Sequence, residues 1–373
     1  MKADIRKRQP DFWLLLSVIL LVVMGTVMIC SASPAASKNS TGGDSYSVIK
    51  KQLLYITLGF AAMAAAYLVD LKNVIKRFSV LFFAATIVLL ALVLTPLGVE
   101  LNYSQRWINV GFSLQPSEFF KTGMILYLAY VFSHPKICDK ARGFGGILIA
   151  IAPVALGMVL IFLEPHVSCL IILGIVMASM MVFGRMRWYL FAVLLGGAGA
   201  AGGAAYALVP HVQKRLNSFF GSGSAENSSD TWQAKQSLYA IGSGGLFGRG
   251  LGESVQKQLY LPEPYNDFIF AILAEELGFV GCFAVLALFA LLVCRGYKIA
   301  IYANDAFSGL VAAGITTLIA VQVIMNIAVV TNIMPVTGVS LPFFSYGGSS
   351  LITMMMNAGI LLNISRNSDY VKF

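Results

Sequence analysis

Ionisable side chains that interrupt long apolar segments are the first candidates for chemistry in this sequence. Asp267 begins one apolar segment, Glu275 and Glu276 follow it in the same segment, and Glu118 and Lys121 lie three residues apart at the start of another. Keeping such a charge inside a bilayer costs about 2.5–3.5 kcal/mol on insertion scales, so each of these groups needs a partner or a function.

Asp267 has two interpretations. It could be a helix N-cap, in which an aspartate accepts hydrogen bonds from free backbone N–H groups. It could instead be a carboxylate at the rim of a helical bundle, within reach of a membrane-bound substrate. The two interpretations conflict in detail, because capping lowers the pKa of a carboxyl group and makes it a poorer base.

The two glutamates that follow Asp267 cannot both share its site on one straight helix. At 100° per residue, Glu275 lies about 80° around the helix from Asp267, and Glu276 lies roughly opposite. We therefore expect Glu275 to share a cavity with Asp267 and Glu276 to pair with a neighbouring helix.

Glu118 and Lys121 have the spacing of a local ion pair on one helix face. The same pair could also hold a phosphate beside a carboxylate. Arg106, next to Trp107 in the preceding loop, could add a second positive charge, since arginine binds phosphate through two parallel hydrogen bonds.

The composition shows which class of protein must position these groups. Of the 373 residues, 58% are hydrophobic and 12% are charged, whereas soluble domains are about 25% charged. The net charge of +9 does not indicate nucleic-acid binding, because the basic residues stand at the ends of apolar segments rather than on one polar face. The five cysteines have no CxxC spacing and the histidines are scattered, which argues against a disulfide framework or a zinc site.

Apolar segments of membrane-spanning length recur along the whole chain. With the N-terminus in the cytoplasm, most lysines and arginines fall on the cytoplasmic side. The sequence thus predicts an all-α integral membrane protein: a single polytopic domain over 1–373 with about ten transmembrane helices, both termini cytoplasmic, and one long extracytoplasmic loop over 210–266. The predicted spans are 12–30, 53–69, 78–97, 116–133, 145–163, 167–183, 188–209, 267–293, 307–330 and 347–364.

Two segments predicted to lie outside have unusual composition. The glycine-rich stretch 244–252 is preceded by no strand and lies away from cytoplasmic nucleotides, so we interpret it as tight turns rather than a phosphate loop. Segment 331–346 is apolar and is expected to fold back against the bundle.

Several motifs together resemble the SEDS proteins of bacterial cell-wall synthesis, and within that family the FtsW and SpoVE branch. The likeness covers essentially the whole chain, and it is specific because it depends on the combination of motifs. They are QPSEF at 115–119, LPE at 261–263, DFIFA at 267–271, EELG at 275–278 and LPFFSYGGSS at 341–350.

The resemblance implies a peptidoglycan glycosyltransferase that polymerises lipid II on the outer face of the bacterial cytoplasmic membrane. The family's essential aspartate corresponds to Asp267, which would act as general base, and its charged pair corresponds to Glu118 and Lys121. The residues expected to contact the substrate or its pyrophosphate are Arg106, Glu118, Lys121, Glu275 and Ser349. Because the donor is α-linked and the product β-linked, the reaction would invert the sugar in a single displacement.

The expected partners also follow from the resemblance. The partners that it implies are a class B penicillin-binding protein and divisome or sporulation proteins; nucleic acid is not expected, because of where the basic residues lie. For the cofactor, the chemistry of the leaving pyrophosphate suggests a divalent cation, Mg²⁺ or Mn²⁺, that could bridge the phosphates. The chain departs from the family where it has Glu164-Pro165-His166 in place of a Gln-Pro-Asp pattern.

Two other functions fit many apolar segments with buried charges. A flippase for lipid-linked precursors would show internal repeats and broken helices near the midplane, and the sequence has no convincing internal repeat. A non-catalytic scaffold for a penicillin-binding protein would tolerate Asp267→Asn.

Overall fold

The chain folds into a bundle of long helices. The computed structural model describes residues 9–40, 44–70, 74–101, 104–109, 113–137, 147–164, 166–208, 213, 229–262 and 264–368. The helices in this part are α1 (Phe12–Ala32), α2 (Pro34–Ser40), α3 (Ser47–Leu68), α4 (Lys76–Val93), α5 (Pro116–Ser133), α6 (Ala152–Leu163), α7 (Val167–Phe183), α8 (Trp188–Leu208), α9 (Ser229–Gly244), α10 (Ile269–Ile301), α11 (Ala306–Val330) and α12 (Gly348–Asn367). A π-helical turn, Ile147–Ile151, precedes α6.

A helix occurs at each of the ten predicted spans. By length and composition, six of the described helices could cross a membrane: α1, α3, α4, α8, α10 and α11. Ile149–Leu163 and α7 are shorter apolar helices, and most residues of α5 and α12 are buried within the bundle. The all-α membrane architecture is therefore confirmed, whereas the exact number of spans and the cytoplasmic placement of both termini stay predictions.

A small antiparallel sheet, which was not predicted, lies between α4 and α5. Its strands are β1 (Gly98–Leu101), β2 (Ser104–Asn109) and β3 (Ser113–Leu114), in the order β1-β2-β3. The sheet brings the chain to the start of α5 and carries Arg106 on its central strand.

α12 packs along α3 at very short range. A Cβ atom on Gly359 would lie 2.3 Å from the carbonyl oxygen of Met63, so only glycine fits there. Nearby, the side-chain amide of Asn363 donates to the carbonyls of Ala66 and Tyr67 at 3.1 and 2.8 Å. These are carbonyls of the last turn of α3, which lack helical partners.

α10 is broken at Gly278, whose backbone (φ 66°, ψ −162°) is not helical. The carbonyls of Glu275 and Glu276 consequently lose their helical partners. They accept hydrogen bonds from the backbone N–H groups of Arg249 and Gly250 at 2.9 and 3.0 Å.

The same loop satisfies the N–H groups on the other side of the break. Phe279 and Val280 donate to the carbonyls of Gly245 and Leu246 at 2.9 and 3.1 Å. The prediction of tight turns over 244–252 is confirmed, and this glycine-rich loop also docks its backbone into the broken helix. Glycine is required at Gly248, where φ is +80° and a Cβ atom would lie 2.1 Å from the carbonyl oxygen of Glu276.

Segment 331–346 folds against the bundle, as predicted. Leu341, Phe343 and Phe344 are buried in it. The backbone of Phe344 lies so close to α1 that a Cβ atom on Gly25 would come within 2.6 Å of its Cα.

Candidate functional site

Asp267 lies in the turn that precedes α10. The helix begins at Ile269, and its N-cap is Phe268, whose side chain makes no capping hydrogen bond. Of the two interpretations open from the sequence, the one that makes Asp267 the N-cap residue therefore does not hold. Its half-buried carboxylate lies beside Gly338, where a Cβ atom would be 3.3 Å from Oδ2.

The turn that carries Asp267 is held in place by Asn326, a side chain that was not recognised from the sequence. Asn326, buried on α11, donates through Nδ2 to the carbonyls of Asp267 and Val339, both at 2.8 Å. One amide therefore joins the turn that carries the carboxylate to segment 331–346. An asparagine in so apolar a helix was the available signal, because polar groups are rarely placed there without a task.

Aromatic residues connect the Asp267 turn to the start of α12. The N–H of Tyr346 donates to the carbonyl of Tyr265 at 2.9 Å, and their rings meet edge to face at 5.6 Å. Tyr55 of α3 also packs against Tyr346, with 6.1 Å between ring centroids.

Ser349 joins α12 to α5. Its Oγ accepts a hydrogen bond from the N–H of Gln115, the N-cap of α5, at 3.2 Å. The starts of α5, α10 and α12 are thus linked at one end of the bundle, which we call the site end. Ser349 has a positioning contact there, and its predicted contact with substrate stays a prediction.

Glu118 and Lys121 form the predicted local ion pair in the first turns of α5. The ammonium nitrogen lies 2.8 Å from each carboxylate oxygen, and both side chains are buried. Removing one partner from such a pair leaves an uncompensated buried charge, which costs about 3–5 kcal/mol. The pair therefore fixes two buried charges in position at the site end.

A further carboxylate, Glu164, lies beside this pair in the turn between α6 and α7. Arg106 donates through Nε to its carbonyl oxygen at 3.0 Å. Arg106, Glu118, Lys121 and Glu164 all lie near the buried Cys169 of α7, so the four groups belong to one region of the bundle.

Glu164 differs from the other charged groups of this region because its carboxylate oxygens accept no hydrogen bond from the described residues. The residue is 1% exposed, and neither carboxylate oxygen has a hydrogen-bond partner within the described residues. Burial raises the pKa of this carboxyl group from 4.5 to about 8, and the positive charge of Arg106 opposes part of that rise. Glu164 is therefore mainly protonated at neutral pH.

Glu275 does not share a cavity with Asp267, contrary to our expectation. Its carboxylate accepts hydrogen bonds from Ser254 Oγ at 2.6 Å and from the N–H of Val255 at 3.0 Å. Arg249 Nη1 lies 3.7 Å away. The prediction failed because the helix starts after Asp267 and a loop, rather than substrate space, covers Glu275.

Glu276 pairs with a neighbouring helix, as expected. It accepts a hydrogen bond from Ser31 of α1 at 2.7 Å and forms an ion pair with Lys257 at 2.8 Å. Lys257 also donates to Ser31 at 2.9 Å. The two glutamates of α10 therefore anchor the loop that follows α9.

Comparison with known proteins assigns nearly the whole chain to one family. The family model described as "Cell cycle protein", which covers FtsW, RodA and SpoVE, matches residues 12–370. The chain belongs to the FtsW/RodA/SpoVE family. It is similar to stage V sporulation protein E of Bacillus subtilis, with 42% identity over 98% of this chain and 99% of that protein. A probable peptidoglycan glycosyltransferase FtsW of Trichlorobacter lovleyi is 37% identical over 98% and 95% of the two chains.

Solved structures of family members share the fold. A chain of a peptidoglycan synthase complex superposes with a TM-score of 0.77 at 25% identity, covering 96% of this chain and 98% of that one. The rod shape determining protein RodA of Thermus thermophilus gives a TM-score of 0.70 at 26% identity, covering 97% and 98%. With its several apolar helices, this FtsW/RodA/SpoVE member is a multi-pass membrane protein.

Within the described part of this family member, no group of three or more histidine, cysteine, aspartate or glutamate side chains could hold a metal ion. Magnesium, however, often uses only one or two protein carboxylates when substrate phosphates complete its shell. The expectation of a divalent cation therefore stays a prediction.

Proposed function

We propose that the protein is a peptidoglycan glycosyltransferase that polymerises lipid II on the outer face of the bacterial cytoplasmic membrane. One observation carries the proposal: the half-buried carboxylate of Asp267 lies beside Gly338 in the turn ahead of α10, and Asn326 ties that turn to segment 331–346. The buried cation Lys121 belongs to the same end of the bundle through the Ser349 contact. The names of the FtsW relatives support the same reaction class.

Asp267 is the proposed general base. The acceptor's sugar hydroxyl oxygen attacks the donor's anomeric carbon, the bond from that carbon to the pyrophosphate oxygen breaks, and the hydroxyl proton passes to the Asp267 carboxylate. The pyrophosphate leaves with the bonding electrons. A single displacement of this kind inverts the anomeric configuration and forms no covalent sugar–enzyme intermediate.

Arg106 and Lys121 are the proposed source of positive charge for the departing pyrophosphate. Arg106 is partly exposed and can reach a phosphate directly. Lys121 is buried and already engaged by Glu118, so it acts as a fixed charge behind the site. Because Glu164 is mainly protonated, its carboxyl group does not neutralise the nearby Arg106. Activity lost with a chelator and restored by Mg²⁺ or Mn²⁺ would support a bridging cation.

A flippase remains the competing function, since a broken α10 resembles the discontinuous helices of transporters. In this protein, however, the backbone groups of Glu275, Glu276, Phe279 and Val280 at the break are bonded to the glycine-rich loop. Backbone groups that are engaged in this way are not available to line a transport path. The break therefore does not favour transport.

The test compares wild type, Asp267→Asn and Asp44→Asn as purified proteins with lipid II, with glycan length as the readout. Asp44 is an exposed carboxylate paired with exposed Lys50, so it is a matched control for the substitution. We expect Asp267→Asn to lose about 10²–10⁴-fold in polymerisation rate and Asp44→Asn to retain full activity. Wild-type glycan yield from a folded Asp267→Asn protein would refute general-base catalysis and favour the scaffold role.

The partner is proposed to be a class B penicillin-binding protein, in a division or sporulation assembly. The structural likeness to a chain of a peptidoglycan synthase complex supports this pairing. Copurification of the full chain with the organism's class B proteins, expressed one at a time, would identify the partner. Absence of copurification with each of them would contradict the proposal.

A further inference from the structure

α9 exposes large apolar side chains and buries small or polar ones, which is the reverse of an amphipathic helix in water. Its fully buried residues are small or polar, among them Ala234, Ser237 and Ala240, whereas Trp232, Leu238 and Tyr239 are exposed beside Lys235. Ser237 Oγ also donates to the carbonyl of Val330 at the end of α11, at 2.7 Å. Small residues inside, large apolar residues outside and a hydrogen bond between helices are typical of packing in lipid.

The glycine-rich loop continues this apolar surface at its tip. Leu246 is 66% exposed and Phe247 is 80% exposed. The carbonyl of Leu246 accepts a hydrogen bond from Val280 of α10, and Phe279, Val280 and Phe283 are themselves exposed apolar residues. The loop tip is therefore continuous with the outward-facing side of a membrane helix.

The length of α1 and its contacts with α10 allow the depth of the loop tip in the membrane to be estimated. Its 21 residues span about 31 Å, close to the thickness of the hydrocarbon core. At its start, Asp11 forms an ion pair with Arg295 of α10 at 2.8 Å; near its end, Ser31 bonds Glu276. The contact of Leu246 with α10 lies four residues beyond Glu276 toward Arg295, or about 6 Å inside the boundary.

From these observations we propose that residues 246–247 are seated among the lipid acyl chains of the leaflet at the site end, as a monotopic anchor. The bilayer is the occupant that this position requires, because groups at this depth beside lipid-facing helix residues meet hydrocarbon rather than water. The backbone bonds across the α10 break, together with the Glu275 and Glu276 contacts, hold this anchor rigidly to the helix that follows Asp267. The proposal does not depend on the catalytic activity.

The experiment places the photocrosslinker p-benzoylphenylalanine at position 247 of the full chain in nanodiscs of phosphatidylcholine and phosphatidylglycerol. Position 283 on α10 is the lipid-facing reference, and position 46, an exposed tyrosine between the polar residues Asp44 and Lys50, is the control outside the lipid. After irradiation, intact-protein mass spectrometry counts lipid adducts. A second label at position 246 repeats the measurement independently of side-chain choice at 247.

We expect lipid adducts at 247 and 246 in yields within about twofold of position 283, with few at 46. Adducts at 283 but not at 247 or 246 would overturn the proposal, because the loop tip would then face water. Crosslinks from 247 to a second copy of the chain in place of lipid would also overturn it, since a protein surface would then cover the tip.

Discussion

Replacing Glu164 with glutamine should stabilise the protein, and the stabilisation should grow as the pH rises. The glutamate carboxyl group is buried without a hydrogen-bond partner in the described part of the chain. Glutamine has nearly the same shape but never ionises, so the substitution removes the cost of the buried charge while keeping the packing.

The magnitude follows from the shift of the pKa from 4.5 to about 8. Below pH 4.5 the folded and unfolded states are both protonated, and Glu164 does not affect stability. Between these values only the unfolded state releases the proton, so the free energy of unfolding falls by about 1.36 kcal/mol per pH unit. The loss reaches roughly 3 kcal/mol at pH 7 and roughly 5 kcal/mol above pH 8, which Glu164→Gln should recover.

The assay is thermal unfolding of the purified protein in one detergent, at pH 5.5, 7 and 8.5. Glu253→Gln, on an exposed glutamate of the glycine-rich region, is the control for replacing a carboxylate by an amide. The melting temperature of Glu164→Gln should exceed that of wild type by an amount that increases with pH, whereas Glu253→Gln should follow wild type. A difference in melting temperature between wild type and Glu164→Gln that stays constant across this pH range would refute the assignment of a buried carboxyl group that keeps its proton.

Three other changes test the elements that position the site. Lys257→Met should lower the free energy of unfolding by about 3–5 kcal/mol, because it leaves the Glu276 carboxylate buried without its cation; Lys50→Met, at an exposed ion pair, should leave the melting temperature almost unchanged, because solvent screens such a pair. Gly278→Ala should destabilise the protein, since its φ is 66° and the new Cβ atom would lie 2.3 Å from the nitrogen of Gly248, whereas Gly242→Ala on the open face of α9 should be neutral or stabilising; equal melting temperatures would contradict the helix break. Asn326→Leu should lower kcat by about 10²-fold through misplacement of the Asp267 turn, with little change in KM for lipid II, and an unchanged kcat would show that the tether is not needed.

The sequence by itself determined the class of protein and the elements that depend on neighbours along the chain. Apolar segments of spanning length predict membrane helices, because each helix satisfies its own backbone and needs no distant partner. The Glu118–Lys121 pair could be predicted for the same reason, since residues three apart on a helix are always adjacent. The motifs around Asp267 and Ser349 identified the family, and the structure brings both residues to one end of the bundle.

Only the tertiary structure decided which distant groups meet. Glu275 was predicted to share a cavity with Asp267 from the geometry of one straight helix, but the helix starts only after Asp267, and the loop docked at the Gly278 break gives Glu275 Ser254 as a partner. Glu164 could not be recognised as a buried carboxyl group without partners, because its burial depends on β2, α5 and α7 closing around it. Contacts between residues far apart in sequence depend on packing of whole helices, for which local spacing carries no information.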